Sequence, residues 1–192
     1  MARPIQFDRN DVLDQALQAF WEHGYCATSM AKLVDATKLN PGSIYAAFNS
    51  KQGIFFAALD RYGERSAQRV RRELINAESP LEAIRQYFHS LAATIESDEG
   101  RQSCLLVNTV LELARHDDEV RHRINHHFQV IEKNFIDALQ RAQERGELPR
   151  DRDCHGLAAF LMNNIWGLRV LAGTGPQPGR AKKIVNQVLA AL

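Results

Sequence analysis

The chain has 192 residues, 45% apolar and 24% charged, with a formal net charge of +1, which fits one or two globular domains with a substantial core. That balance excludes a protein that is basic all over: residues 1–75 carry ten Lys/Arg against eight Asp/Glu, so any patch for nucleic acid must be local. No apolar run reaches the roughly 18 residues of a membrane span, the opening MARPIQF has no apolar signal core, and Cys26, Cys104 and Cys154 form neither a disulfide framework nor a CxxC pair, so a reduced cytoplasmic chain without a cofactor is expected.

Residues 1–7 precede any periodic pattern; Arg3 there belongs either to a disordered arm or to one that reaches a minor groove. Asp8 caps a first helix to about His23, with Val12, Leu13, Ala16, Leu17, Phe20 and Trp21 as its apolar stripe and Gly24 as its stop. Thr28 can cap a second helix, Ser29 to Thr37, whose Met30, Leu33 and Val34 share a face. Lys38-Leu39-Asn40 is long enough only for a turn. Asn40 then caps a third helix over about 41–48, with Pro41 at its first position, where a missing N–H costs nothing. Ile44 and Phe48 anchor this helix, whereas Gly42, Ser43, Tyr45 and Ala46 point away from that core. Two short helices with a tight turn and a small polar outer face suit a major groove, although the same pattern also describes an ordinary helical hairpin.

The fourth helix begins at Lys51 behind Asn49-Ser50, turns Ile54, Phe55, Ala58, Leu59 and Tyr62 inward, and continues past Arg69, Arg71 and Arg72, read as a solvated basic end, to about Asn76. A cation in a first turn opposes the helix dipole, so Lys51 is either a solvated lysine or half of a phosphate site. From Ala77 the pattern changes. Ser79-Pro80-Leu81-Glu82 reads as a capping box opening a fifth helix to about Ser97. A loop at 98–101 leads, from Gln102 or Ser103, into a sixth helix, CLLVNTVLELARH. Asp117 caps a long seventh helix to about Arg145, closed by Gly146 and Pro149. The eighth, about Arg152 to Ala172, is apolar on more than one face and so calls for a partner outside its own domain. The ninth ends the chain after GTGPQPG.

The run Leu13 to Phe20, Gly24-Tyr25, Thr28-Ser29, Leu33-Val34, Gly42-Ser43-Ile44-Tyr45, Phe48 and Ser50-Lys51 resembles the DNA-binding domain of the tetracycline-repressor (TetR) family in order and in spacing. The resemblance implies an all-α homodimeric transcriptional regulator of about nine helices, most often a repressor released by a small effector. It implies a three-helix DNA-binding domain over 6–66, an effector-binding and dimerisation domain over 77–192, and a dimer bundle of the eighth and ninth helices on a pseudo-palindromic operator. Residue by residue, Thr28 and Ser29 would donate to phosphate, Pro41, Gly42 and Ser43 would face base edges, Tyr45 and Lys51 would hold the backbone, and the capping Asn40 belongs to the same DNA-binding set. Ser103-Cys104-Leu105-Leu106 with Asn108 is similar to the branch of the family that includes the electrophile-responsive repressor of N-ethylmaleimide reductase.

Cys104, placed in the first turn of the sixth helix with Arg101 nearby, is then either a thiol sensor of oxidants or electrophiles, or a small packed residue. Tyr87, Phe88, Phe128 and Trp166 are the aromatic candidates for a partly apolar effector pocket. His116, His122, His126 and His127 crowd the seventh helix; His122 and His126, four apart, form at best a two-ligand metal site, and the single Glu119-x-x-His122 lacks the second motif of a di-iron bundle. A helical-bundle enzyme or metal protein is the rival reading, against which stands the absence of a nucleophile–base pair, phosphate loop or paired carboxylates.

Overall fold

The computed structural model describes residues 7–75, 77–97 and 104–192. Within them nine α-helices follow one another: α1 (Arg9–Ala27), α2 (Met30–Thr37), α3 (Pro41–Phe48), α4 (Lys51–Ile75), α5 (Pro80–Glu96), α6 (Leu105–Glu112), α7 (Asp118–Glu144), α8 (Cys154–Ala172) and α9 (Arg180–Leu189). The fold is all-α, as the periodicity predicts. Arg3, Arg101 and the 98–101 loop lie outside the described residues.

Local chemistry sets most boundaries. Asp8 accepts the Asn10 N–H at the start of α1, Asn40 accepts the Ser43 N–H at 2.8 Å with Pro41 beside it, and Asp117 accepts the Val120 N–H; each supplies an acceptor to an otherwise orphaned first-turn donor. Gly24 interrupts α1 with φ 77 and ψ 169, after which one more turn leads to α2. Three expectations are corrected. Ser29, rather than Thr28, caps α2 by accepting the Lys32 N–H. Ser79 accepts the Glu82 N–H at the head of α5, but the returning carboxylate is Glu147, which accepts the Ser79 hydroxyl and the Leu81 N–H, both at 2.9 Å. Cys104 stands at the N-cap of α6, one residue before the helix rather than inside its first turn.

Helices α1 to α3 close around Phe20, Leu33, Ile44 and Phe48, against Ile54, Phe55 and Leu59 of α4. Phe20 meets Phe55 edge-on at 5.0 Å, a favoured aromatic geometry. Helix α4 belongs to both halves: its C-terminal part packs along α7 and α5 over Leu74, Ile84, Phe88, Ile124 and Phe135. Helix α9 lies against α5 and α8, and the Glu96 carboxylate of α5 accepts the Ala181 N–H at 3.1 Å, supplying the cap that Gly179 has no side chain to provide. No described helix is long and apolar enough to cross a membrane.

Candidate nucleic-acid interface and ligand cavity

The outer face of α3 is built to be open. Ile44 and Phe48 are buried and hold the helix to the core, while Pro41, Gly42, Tyr45 and Ala46 are exposed, Tyr45 at 49%. A Cβ at Gly42 would meet only Asn40 Oδ1, at an ordinary 3.4 Å. Internal packing therefore does not require this glycine, and its missing side chain leaves room for something outside the chain. Arg9 braces the far end of α3, its guanidinium donating to the Ala47 carbonyl at 3.2 Å and lying 4.5 Å from the Phe48 ring centroid; a cation there suits the C-terminal carbonyls.

Around this face the backbone donors of two helix N-termini stand with their caps exposed: Ser29 on α2 and Asn40 on α3. The half-buried Lys51 opens α4 with its Nζ 4.3 Å from the Tyr25 ring centroid, a cation–π contact that directs an otherwise flexible chain. Thr28 does not join the group. It is fully buried, and its hydroxyl donates to the Gly24 carbonyl at 2.6 Å, so it secures the α1–α2 corner and has no free donor for a phosphate. Two glycines that carry no weight in the sequence reading prove to be packing requirements. A Cβ at Gly53 would lie 1.9 Å from the Phe48 carbonyl oxygen, and one at Gly63 would lie 2.3 Å from the His127 ring.

A cavity of about 130 Å³ lies among α4, α5, α6, α7 and α8. Of the residues expected there, Cys104, Tyr87, Phe128 and Trp166 line it. Phe88 does not: it is wholly buried in the core behind Tyr87 and next to Phe135. Asn108 also lies outside the lining, one turn into α6, where its N–H closes onto the Cys104 carbonyl. The Tyr62 hydroxyl donates to Cys104 Sγ at 3.6 Å. Burial pushes both Tyr62 and Tyr87 above the ordinary phenol range, against the opposing charge of Arg169, so both remain protonated donors.

The polar wall is the part the sequence reading misses. Tyr62, Ser66, Arg69 and Glu73 recur at spacings of four, three and four along α4, and Arg169 faces them from α8. This is a polar stripe at helical period, legible in principle, on a segment otherwise read as a solvated basic end. The second cluster, on α4 and α7, is structural. His127 is buried against Gly63 and sits 3.0 Å from Asp60, which also receives Arg123 at 2.6 Å. Burial raises the Asp60 carboxyl, and the His127 hydrogen bond with the Arg123 charge more than offsets it, leaving it below the usual carboxylate range. Among the described residues no group of three or more His, Cys, Asp or Glu is placed to hold a metal ion.

The family models for bacterial regulatory proteins of the tetR family and for the tetracyclin repressor-like C-terminal domain match residues 12–58 and 80–185. The HTH-type transcriptional repressor ComR of Escherichia coli K12 is 34% identical over 188 residues, spanning 97% of this chain and 90% of that protein. The chain belongs to the TetR family.

Within that family, a cysteine mutant of the TetR family regulator CifR, solved with 26-base-pair operator DNA, superposes with a TM-score of 0.87 at 32% identity and covers 98% of this chain and 99% of its own. Reduced NemR of E. coli shares the fold, with a TM-score of 0.80 at 19% identity, covering 95% and 94% of the two chains. This TetR-family protein is thus a DNA-binding transcriptional regulator.

Proposed function

We propose that the protein is a homodimeric, non-enzymatic transcriptional repressor of the cytoplasm that leaves a pseudo-palindromic operator when a small molecule enters the α4–α8 cavity. A DNA-binding domain over 6–66 and an effector and dimerisation domain over 77–192 divide the work. The observation that carries the reading is the open face of α3: an exposed helix N-terminus with a glycine that packing does not demand, flanked by Ser29 and Lys51. Ser29 and the α2 N-terminus receive one phosphate, Asn40, Pro41, Gly42 and Ser43 meet base edges, and Tyr45 and Lys51 hold the backbone.

Dimerisation is supported by the exposed apolar surface left on α8 and α9. Phe160 and Val170 are 41% and 45% exposed, and a shallow groove beside Phe160 is bordered by Ile184 and Val188 of α9. Two copies joined there bring two recognition helices to half-sites one turn of DNA apart, about 34–36 Å. In this reading Cys104 is cavity wall and hydrogen-bond acceptor for Tyr62.

Selection of bound duplexes from a random pool tests the reading. An inverted repeat, protected by two protomers in footprinting, is the expected product. Enrichment of no sequence, or of a site occupied by one protomer, would overturn it.

A further inference from the structure

A helix that reads bases must present its outer face at a set angle, and α3 has little of its own to set it with. Its buried residues are Ile44 and Phe48, four apart and therefore on one line along the helix. Two anchors on one line fix the axis but define the roll about it only weakly. The chain closes the end of α3 at two carbonyls: the Asn49 N–H donates to Tyr45 and the Ser50 N–H to Phe48, both at 2.8 Å. The Ala47 carbonyl between them is met from another element, by the Arg9 guanidinium of α1 at 3.2 Å. Ala47 stands about 100° around the helix from Phe48, so this tie lies off the line of the anchors. The same guanidinium is 4.5 Å from the Phe48 ring centroid, and one planar group thus holds both the backbone and the anchor of the last turn.

Arg9 is badly placed for its own helix. It is the first residue of α1, where a cation opposes the dipole, whereas at the tail of α3 a cation is favoured. It is also exposed, so core packing does not require it. Its position is accounted for by α3.

We propose that Arg9 is a specificity-determining positioning residue: it fixes the roll of α3 so that Pro41, Gly42 and Ser43 meet base edges in register, without touching DNA itself. The inference rests on the reading of α3 as the recognition helix. Base-edge contacts are directional and tolerate only small rotations of the element that carries them. A phosphate contact from a long, flexible lysine such as Lys51 tolerates more. Loss of Arg9 therefore costs discrimination between sequences, whereas sequence-independent affinity is kept.

The test is anisotropy of the full-length protein, over a salt series, on the duplex selected by the wild type and on a scrambled duplex of equal length. Arg9→Met keeps an apolar stem and removes the guanidinium. Contacts at a solvated helix end are modest, so a loss of about threefold per half-site is expected, or about tenfold on the selected duplex with two recognition helices engaged. The scrambled duplex, the salt slope and the melting temperature are expected to stay close to wild type. Arg9→Lys keeps the charge but not the planar fork, and is expected to lose discrimination in the same sense; it carries the test if Arg9→Met fails to fold. Equal losses on both duplexes, with a salt slope lower by about one, would make Arg9 a phosphate ligand and overturn the proposal. Wild-type discrimination by Arg9→Met would overturn it too. Gly42→Leu separates this inference from the reading beneath it. If Gly42→Leu abolishes binding while Arg9→Met discriminates as wild type does, the brace is rejected and α3 remains the reader. If Gly42→Leu binds normally, α3 is rejected as the reader, and the brace with it.

Discussion

Glu112, the last residue of α6, accepts the Tyr25 backbone N–H at 3.0 Å. The same carboxylate accepts the Cys26 N–H at 2.7 Å and, chiefly through a hydrogen bond, pushes the exposed Cys26 thiol above its ordinary range. Helix α6 thus touches the cavity beside Cys104 at one end and ties down the last turn of α1, beyond Gly24, at the other. Glu112→Ala leaves two backbone donors without their acceptor and is expected to cost about 1–3 kcal/mol. Denaturant melts and amide exchange at residues 25–27 measure it; unchanged protection there would show that the carboxylate is not what holds the corner.

On the recognition face, Lys51→Ala is expected to weaken operator binding across all sequences and to lower the salt slope by about one. Gly42 is exposed and a Cβ there meets only ordinary contact, so Gly42→Leu is expected to keep the melting temperature within a few degrees while abolishing operator binding by filling the space proposed for DNA. A Gly42→Leu protein that binds normally would remove α3 from the groove.

Gly63→Ala behaves in the opposite way. Its Cβ would sit 2.3 Å from the His127 ring, between α4 and α7, and His127 is buried and bonded to Asp60. Overpacking of this kind costs about 1–3 kcal/mol. The loss is expected in global stability, read by thermal melting, and His127→Ala should relieve it in part.

Asp14 ties α1 to α4 by accepting Arg61 at 2.7 Å and Arg65 at 2.5 Å. The Arg61 hydrogen bond, with that of Arg65 and both charges, outweighs desolvation and holds the carboxyl at about 2, below its ordinary 3.8. Because the folded value is the lower one, the contribution is present above about pH 4 and fades as pH falls towards 2. With 37% of the Asp14 side chain exposed, solvent screening limits it to about 1 kcal/mol or less. Asp14→Asn should therefore lower stability slightly at neutral pH and flatten the acid limb of the stability curve. An acid limb as steep as that of the wild type would assign the loss to other carboxylates.

At the proposed dimer surface, Phe160→Asp places a charge on an exposed apolar side chain. It should leave the protomer folded, shift sedimentation from dimer to monomer, and weaken operator binding by orders of magnitude through the lost second half-site.

Helices of strong periodicity with polar caps were the legible part of the chain. Asp8, Asn40 and Asp117 sit where their own segments place them, because a cap is settled by residues two or three positions away. What could not be read depends on partners distant in sequence. Glu96 caps α9 from 85 residues away, Glu147 completes the head of α5 from 66, and Thr28 is turned inward by a carbonyl of the preceding helix. The aromatic half of the cavity was legible because aromatic residues stand out along a chain. The polar half was not, since Arg69 and Glu73 look like any solvated helix face until α8 brings Arg169 opposite them.

Helix α4 runs without interruption from the recognition module to the cavity wall, and a helix is a screw as well as a strut. Each inserted residue turns the remainder of the helix by about 100° and advances it by about 1.5 Å. One extra residue between Leu59 and Tyr62 would therefore swing the two reading heads of a dimer out of phase with the double helix, even with every contact inside each half preserved. Lengthening can restore the phase only near multiples of a full turn, and then at a new separation. Exchange of sensor halves between relatives is thus constrained to a fixed angular register in α4, a restriction written in helix geometry rather than in any single contact.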